Sequence, residues 1–269
     1  MAVDHSVDIT RTVTGLVLIA VLAFVLVARG LPLLCFILLV SALGLWEFYS
    51  LFWGRYGRIR SRLCAIALGS AMLILTWQNR PQDALVCLGL GFILVALSFL
   101  FRWDVVGEDT AFSPGGIFLA GLAYIPLLLL PATYLSTIQL IFVLCAVSLS
   151  DTAAYFVGTR FGHHKLWPRV SPKKSSEGAV GSLVACVLFC AIYGGIFGRA
   201  NWFAFAVLGI AVNAFAQLGD LFESALKRSV NVKDSGHLLP GHGGILDRAD
   251  SLLFALPMVA VVDQWFSFF

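Results

Sequence analysis

The 269-residue chain is 59% hydrophobic and 12% charged, with a formal net charge of +3, whereas soluble globular domains carry roughly 25% charged residues. Its 18 Lys/Arg and 15 Asp/Glu are too few to solvate the surface of a water-soluble chain of this length, which excludes an ordinary soluble enzyme. At about 20 residues per crossing, nine spans would use about two thirds of the chain.

Apolar runs of spanning length occur at 12–28, 31–52, 63–77, 84–101, 117–135, 137–157, 179–197, 202–226 and 251–266. Asp4 and Asp8 precede the first run against a single Arg11, and Val27-Ala28-Arg29 is a poor cleavage site, so the first span is read as retained. The run at 63–77 is short enough for a partial span, and Pro126 and Pro131 are expected to kink the fifth. The six cysteines all lie inside apolar runs without a CxxC pair. Cys186 and Cys190, four apart on one helical face, read as small buried apolar residues rather than metal ligands. The fold class is an all-α integral membrane protein of about nine transmembrane helices. Residues 1–110 are expected to be N-terminal membrane helices that anchor and pack, and 111–269 a second membrane-embedded region that carries the candidate site residues taken up below.

The cations orient these spans. With nine crossings, Arg11, Arg55, Arg58, Arg60, Arg62, Arg102, Arg160, Lys165, Arg169, Lys173, Lys174, Lys227, Arg228, Lys233 and Arg248 fall on the N-terminal side. Only Arg29, Arg80 and Arg199 fall on the other. The positive-inside rule then puts the N-terminus in the cytoplasm and the C-terminus on the opposite side.

Carboxylates in apolar spans are costly and mark candidate sites. Glu47, Asp151, Asp220, Glu223 and Asp250 lie near span ends that this topology makes cytoplasmic. For Glu47 the simpler reading is an ion pair with Arg55 at the interface. In the eighth span, Asn213, Gln217, Asp220, Ser224 and Lys227 recur at intervals of four, three, four and three, on one helical face. An interhelical hydrogen-bond seam explains Asn213 and Gln217 but not the acid. Ser148, Asp151 and Tyr155 form a shorter stripe of the same kind.

Two polar loops adjoin these stripes. Residues 236–244 read Gly-His-Leu-Leu-Pro-Gly-His-Gly-Gly, between Lys233-Asp234 and Asp247-Arg248-Ala249-Asp250. Glycines admit a close-lying anion and cations neutralise it, while flanking acids suggest a Mg²⁺ shared with phosphate. Residues 171–178, Ser-Pro-Lys-Lys-Ser-Ser-Glu-Gly, form the second loop. For Arg55 to Arg62, by contrast, contact with anionic lipid headgroups is the better reading.

The stretch from Ser224 to Asp250, with Lys227-Arg228, Lys233-Asp234-Ser235-Gly236 and Leu239-Pro240-Gly241-His242-Gly243-Gly244-Ile245-Leu246-Asp247-Arg248-Ala249-Asp250, closely resembles the C-terminal motif of the phosphatidate cytidylyltransferases. Asp151-Thr152-Ala153-Ala154-Tyr155 and the segment from Ser171 to Gly178 agree with it. Ala249 departs from the larger aliphatic residue or threonine usual there, a change of packing rather than chemistry. The resemblance implies Mg²⁺-dependent transfer of CMP from CTP to phosphatidic acid. It also implies a homodimer in a bacterial inner membrane, with the active site facing the cytoplasm and no nucleic-acid partner. On it, Asp220 and Asp247 are the principal metal ligands, Asp250 a third ligand or outer support, and Asp151 either completes the shell or holds a lysine. Lys173, Lys174, Lys227, Arg228, Lys233 and Arg248, with Gly243 and Gly244, are candidates for the phosphates; Lys174 and Lys227 are also catalytic candidates beside Asp220 and Asp247. Ser224 bonds either a phosphate or its own helix, and His242 either binds phosphate or shapes its loop.

Two rivals fit less well. Transport sites lie near the bilayer midplane and come with inverted repeats, neither of which is read here. CDP-alcohol phosphotransferases resemble the chain in using acids at the cytoplasmic face, but their Asp-x-x-Asp-Gly-x-x-Ala-Arg run is missing: Asp250 is followed by Ser251.

Overall fold

The computed structural model describes residues 5–54, 57–106, 111–236, 238–241 and 243–269. The helices are α1 (His5–Ala28), α2 (Gly30–Trp53), α3 (Ile59–Trp77), α4 (Pro81–Val106), α5 (Ser113–Tyr124), α6 (Pro126–Leu129), α7 (Thr137–Phe161), α8 (Ser176–Phe197), α9 (Trp202–Ser229) and α10 (Leu246–Phe266). Among the described residues, eight segments are helical, long and apolar enough to cross a membrane, and Thr12–Ala28 is a shorter apolar helix. Each apolar run in the sequence thus falls on helix, the fifth in broken form, and the run at 63–77 lies in a full 19-residue helix rather than a partial one.

Capping and proline chemistry set the boundaries. Ser136 and Gln139 form a reciprocal capping box at the start of α7, and the Asn201 side chain accepts from Ala204 N at 2.8 Å at the start of α9. Pro126 and Pro131 lack the N–H that a continuous helix needs, so the fifth span breaks into α5, α6 and a 3-10 turn over Leu130–Thr133. The sequence reading assigned no strand. Between α7 and α8, however, β1 (Lys165–Trp167) and β2 (Ser171–Ser175) pair antiparallel, with Lys165 opposite Ser175 and Trp167 opposite Ser171. Such short polar strands carry no apolar alternation by which to recognise them.

The chain forms two compact units. The first comprises Met1–Tyr134 with Asp234–Leu246. Tyr49 is fully buried, donates to the Phe118 carbonyl at 2.7 Å and stacks on Trp53 with ring centroids 4.5 Å apart. Arg62 of α3 is also fully buried. Its guanidinium donates to the Ser50 hydroxyl at 3.0 Å and to the Tyr49 and Gly54 carbonyls, and lies 5.0 Å from the centre of the Trp46 ring. It thus satisfies carbonyls left open at the end of α2 and complements the negative end of that helix. Headgroup contact is therefore the wrong description for Arg62, although Arg58 and Arg60 are exposed; Arg55 lies outside the described residues.

The second unit comprises Leu135–Lys233 and Asp247–Phe269. Phe142, Phe205 and Phe269 pack edge to face, with Phe205 at 5.9 and 5.2 Å from the other two. Gly194 and Gly198 leave no room for a side chain beneath Phe205. Asn213, 2% exposed, donates to Ser150 Oγ at 2.7 Å and Ser182 Oγ at 3.0 Å, joining α7, α8 and α9. Gln217 donates to Asn213 Oδ1 at 2.6 Å and Ser182 Oγ at 3.0 Å. These two residues form the interhelical seam that their spacing suggests.

Replacing Arg62 by Met should strip the end of α2 of these donors and cost about 2–4 kcal/mol. Thermal unfolding in detergent should show a lower midpoint; an unchanged midpoint would refute the capping role.

Candidate active site

The polar face of α9 opens onto a cavity of about 680 Å³ within the second unit. Four carboxylates line it: Asp151 from α7, Asp220 from α9, and Asp247 and Asp250 from the first turns of α10. Five cations line it too: Lys165, Lys173 and Lys174 from the hairpin, Lys227 near the end of α9, and Arg248. Acids at the start of α10 and cations at the end of α9 also suit the polarity of those helix ends.

The charges are arranged in pairs. Lys174 Nζ lies 2.6 Å from Asp220 Oδ2. Lys227 Nζ lies 2.6 Å from Asp247 Oδ1 and also pairs with Glu223, one turn earlier on α9. Glu223 is fully buried, so Lys227 is the ion that compensates its charge. Ser224 donates to Asp220 Oδ1 at 3.3 Å, and the Ser251 N–H donates to Asp250 Oδ1 at 2.6 Å.

Two local features bring these side chains together. Gly219 lies against the backbone of Asp250 and Ser251, so a Cβ there would collide with the Asp250 carbonyl. The absence of a side chain is what lets α9 and α10 approach beside the acids. At the hairpin, Ser175 caps α8 by accepting from Gly178 N at 3.1 Å, and Glu177 accepts from the His164 backbone N–H at 3.2 Å. Glu177 also lies 2.7 Å from His164 Nδ1. These bonds hold the strand that carries Lys173 and Lys174 at the start of α8.

Among the described residues, no group of three or more His, Cys, Asp or Glu side chains is arranged to hold a metal ion. The cavity is a nearly balanced set of carboxylates and cations, with two of the four acids held by lysines. Such a set can receive a polyanion, because each lysine can exchange a carboxylate partner for a phosphate oxygen.

Comparison with known proteins fixes the family. The sequence model of the cytidylyltransferase family matches residues 9–266. The chain belongs to the cytidylyltransferase family. The phosphatidate cytidylyltransferase of Staphylococcus saprophyticus is 35% identical over 258 residues, covering 94% of this chain and 97% of that protein. Those of Staphylococcus haemolyticus and Staphylococcus aureus strain COL are 33% and 32% identical over the same length and coverage. This cytidylyltransferase is therefore a membrane-embedded nucleotidyltransferase, and the likeness extends through the first spans.

The cavity gathers Asp151, Asp220, Asp247, Asp250, Lys173, Lys174, Lys227 and Arg248 of the candidates named from sequence. Its lining does not include Ser224, Arg228, Lys233, Gly243 or Gly244. The Ser224 hydroxyl is turned to Asp220. Arg228 donates to the Val232 carbonyl at 3.1 Å just beyond the end of α9, and Lys233 is exposed in the segment that follows. Gly243 and Gly244 belong to the first unit, and His242 lies outside the described residues.

Sequence reasoning did not anticipate Lys165 in the cavity or the backbone partners of Glu47. Lys165 lines the cavity because of the unforeseen hairpin. Glu47, expected to pair with Arg55, is 3% exposed in the first unit and accepts from Ser235 Oγ at 3.2 Å, Ile245 N at 3.1 Å and Leu246 N at 2.8 Å. Its signal in the sequence was only its position, an acid near the end of an apolar run.

Replacing Lys227 by Met should leave Glu223 buried without its counter-ion and destabilise the protein by about 3–5 kcal/mol. The double variant Glu223→Gln/Lys227→Met should recover most of that loss. Unfolding midpoints of the two variants decide the point; equal losses would show that the pair is not what Lys227 contributes.

Proposed function

We propose that this cytidylyltransferase transfers CMP from CTP to phosphatidic acid, giving CDP-diacylglycerol and pyrophosphate. The observation that carries the reading is the cavity in which Lys173, Lys174, Lys227 and Arg248 lie beside four carboxylates. The name of the relatives supplies the substrates. A phosphomonoester oxygen of phosphatidic acid attacks the α-phosphorus of CTP; the bond from that phosphorus to the bridging oxygen breaks, and pyrophosphate leaves. Because the second ionisation of a phosphomonoester lies near pH 6, the attacking oxygen needs no strong base from the protein. The work left to the chain is to align two anions and neutralise their charge.

The lysines and Arg248 do this as donors to phosphate oxygens. As Lys174 and Lys227 turn to phosphate, Asp220 and Asp247 are released from their present partners. These acids, with Asp250 and Asp151, offer the hard oxygen donors that suit Mg²⁺. Bound Mg²⁺ would add positive charge where the triphosphate accumulates negative charge. Glu223 stays buried and keeps the Lys227 ammonium near its place throughout.

The distribution of cations supports a cytoplasmic N-terminus, a C-terminus on the far side, and a cavity open to the cytoplasm of a bacterial inner membrane. Both substrates fit that placement, since CTP is cytosolic and the lipid phosphate lies at the membrane surface.

Purified protein supplied with labelled CTP, phosphatidic acid and Mg²⁺ should form CDP-diacylglycerol, and folded protein that forms none would contradict the reading. Asp220→Asn and Asp247→Asn should each lower turnover at least about 100-fold with the unfolding midpoint little changed; near-normal turnover would remove these acids from the mechanism. A cysteine introduced at Pro172 should be labelled from the cytoplasmic side, and labelling from the opposite side would overturn the orientation.

A further inference from the structure

Glu47 is a carboxylate buried in an apolar helix, yet neither the charge pairs of the cavity nor the proposed reaction uses it. Each of its oxygens has a backbone partner: Oε1 accepts from Ile245 N, and Oε2 from Leu246 N and Ser235 Oγ. Leu246 is the first residue of α10, so Glu47 satisfies N–H groups that a helix start leaves open and places negative charge at its positive end. The loop before α10 is built around this carboxylate. A Cβ at Gly236 would collide with Glu47, and one at Gly244 with both Glu47 and Ser235 Oγ. Two of the loop's glycines are thus explained by the close approach of a side chain 189 and 197 positions away in the sequence, not by an anion seated on the loop.

The next residue along the chain after Leu246 is Asp247, and Asp250 follows within the same turn of helix. We infer that Glu47 is a positioning residue for the reaction: by clamping the Ile245 and Leu246 amides it fixes where α10 begins, and so which way Asp247 and Asp250 project. This inference rests on the proposed function for its kinetic consequence, but the clamp itself can be observed without turnover. Two features set it apart from a generic stabilising contact. It acts on the two amides directly preceding Asp247, and it requires two acceptor oxygens. Glutamine, equal in size, presents one acceptor and one NH₂, so in either orientation an NH₂ group faces a donor.

The test uses the full-length protein with Glu47→Gln and, as a control, Ser235→Ala, which removes one donor and leaves both amide bonds. Hydrogen–deuterium exchange of the peptide containing Ile245 and Leu246 is the first readout, with a peptide from the start of α9 as internal reference. Turnover, and the Mg²⁺ concentration giving half-maximal turnover, form the second. In Glu47→Gln, exchange at the two amides should accelerate while the reference is unchanged. Turnover should fall about tenfold or more, and half-activation should move to higher Mg²⁺, as expected for the loss of a group supporting ligating carboxylates. Ser235→Ala should remain within about threefold of the parent, because both charge-assisted amide bonds persist. Exchange unchanged in folded Glu47→Gln would overturn the clamp. Accelerated exchange with unaltered kcat and Mg²⁺ dependence would overturn the positioning role. Should Glu47→Gln not fold, Glu47→Asp keeps the charge but is one methylene shorter; parental exchange and turnover in that variant would likewise overturn the inference. If the parent makes no CDP-diacylglycerol at all, the functional reading fails, and the exchange measurement still decides the clamp.

Discussion

Lys227 lies between Glu223, which is fully buried, and Asp247 at the start of α10. A carboxylate withdrawn from water costs several kcal/mol unless a counter-ion accompanies it, so the buried acid obliges the lysine to stay. The lysine in turn ties α9 to the turn that carries Asp247. A second pair, Lys174 with Asp220, is partly exposed and joins the hairpin strand to α9. Two of the four carboxylates in the cavity are held by lysines. On the proposed function, a triphosphate would be received by exchange of these partners.

Backbone approach is the second condition. α9 and α10 come close at Gly219, which puts Asp220 beside the turn holding Asp250. In the first unit, the loop leading to α10 closes around Glu47 because Gly236 and Gly244 carry no side chain. These glycines allow close packing of ordered polar groups.

The spans were legible from hydropathy because an apolar run of about 20 residues has few alternatives to a helix in a membrane. The proline breaks in the fifth span were legible for the same kind of reason, since a missing N–H has a local consequence. Periodicity along α9 also identified the seam and the acid beside it, because residues three and four apart share a face. Asp151, Asp247, Lys173 and Lys174 come to the cavity from other elements, and it was chiefly their resemblance to a family motif that tied them together in advance. The packing of Gly236 and Gly244 against Glu47 was not legible, because sequence proximity to Asp247 does not determine what a loop packs against. Glu47 was marked only as an acid in an apolar run and Arg62 only as a loop cation, because each acts on backbone groups, and a backbone acceptor or donor leaves no residue type to read. Arg62 looked like one more cation in a basic loop until its burial among the carbonyls at the end of α2 was seen.

The central claim is that the cavity of the second unit receives CTP through its lysines. The chain contains five lysines: Lys165, Lys173, Lys174 and Lys227 line the cavity, and Lys233 is exposed outside its lining. Rates of lysine acetylation, followed residue by residue by mass spectrometry with and without CTP and Mg²⁺, test the claim within a single sample. Slower modification of Lys173 and Lys174 on adding CTP, with Lys233 unchanged, is the predicted result. Equal rates at the cavity lysines with and without CTP, or protection confined to Lys233, would contradict it.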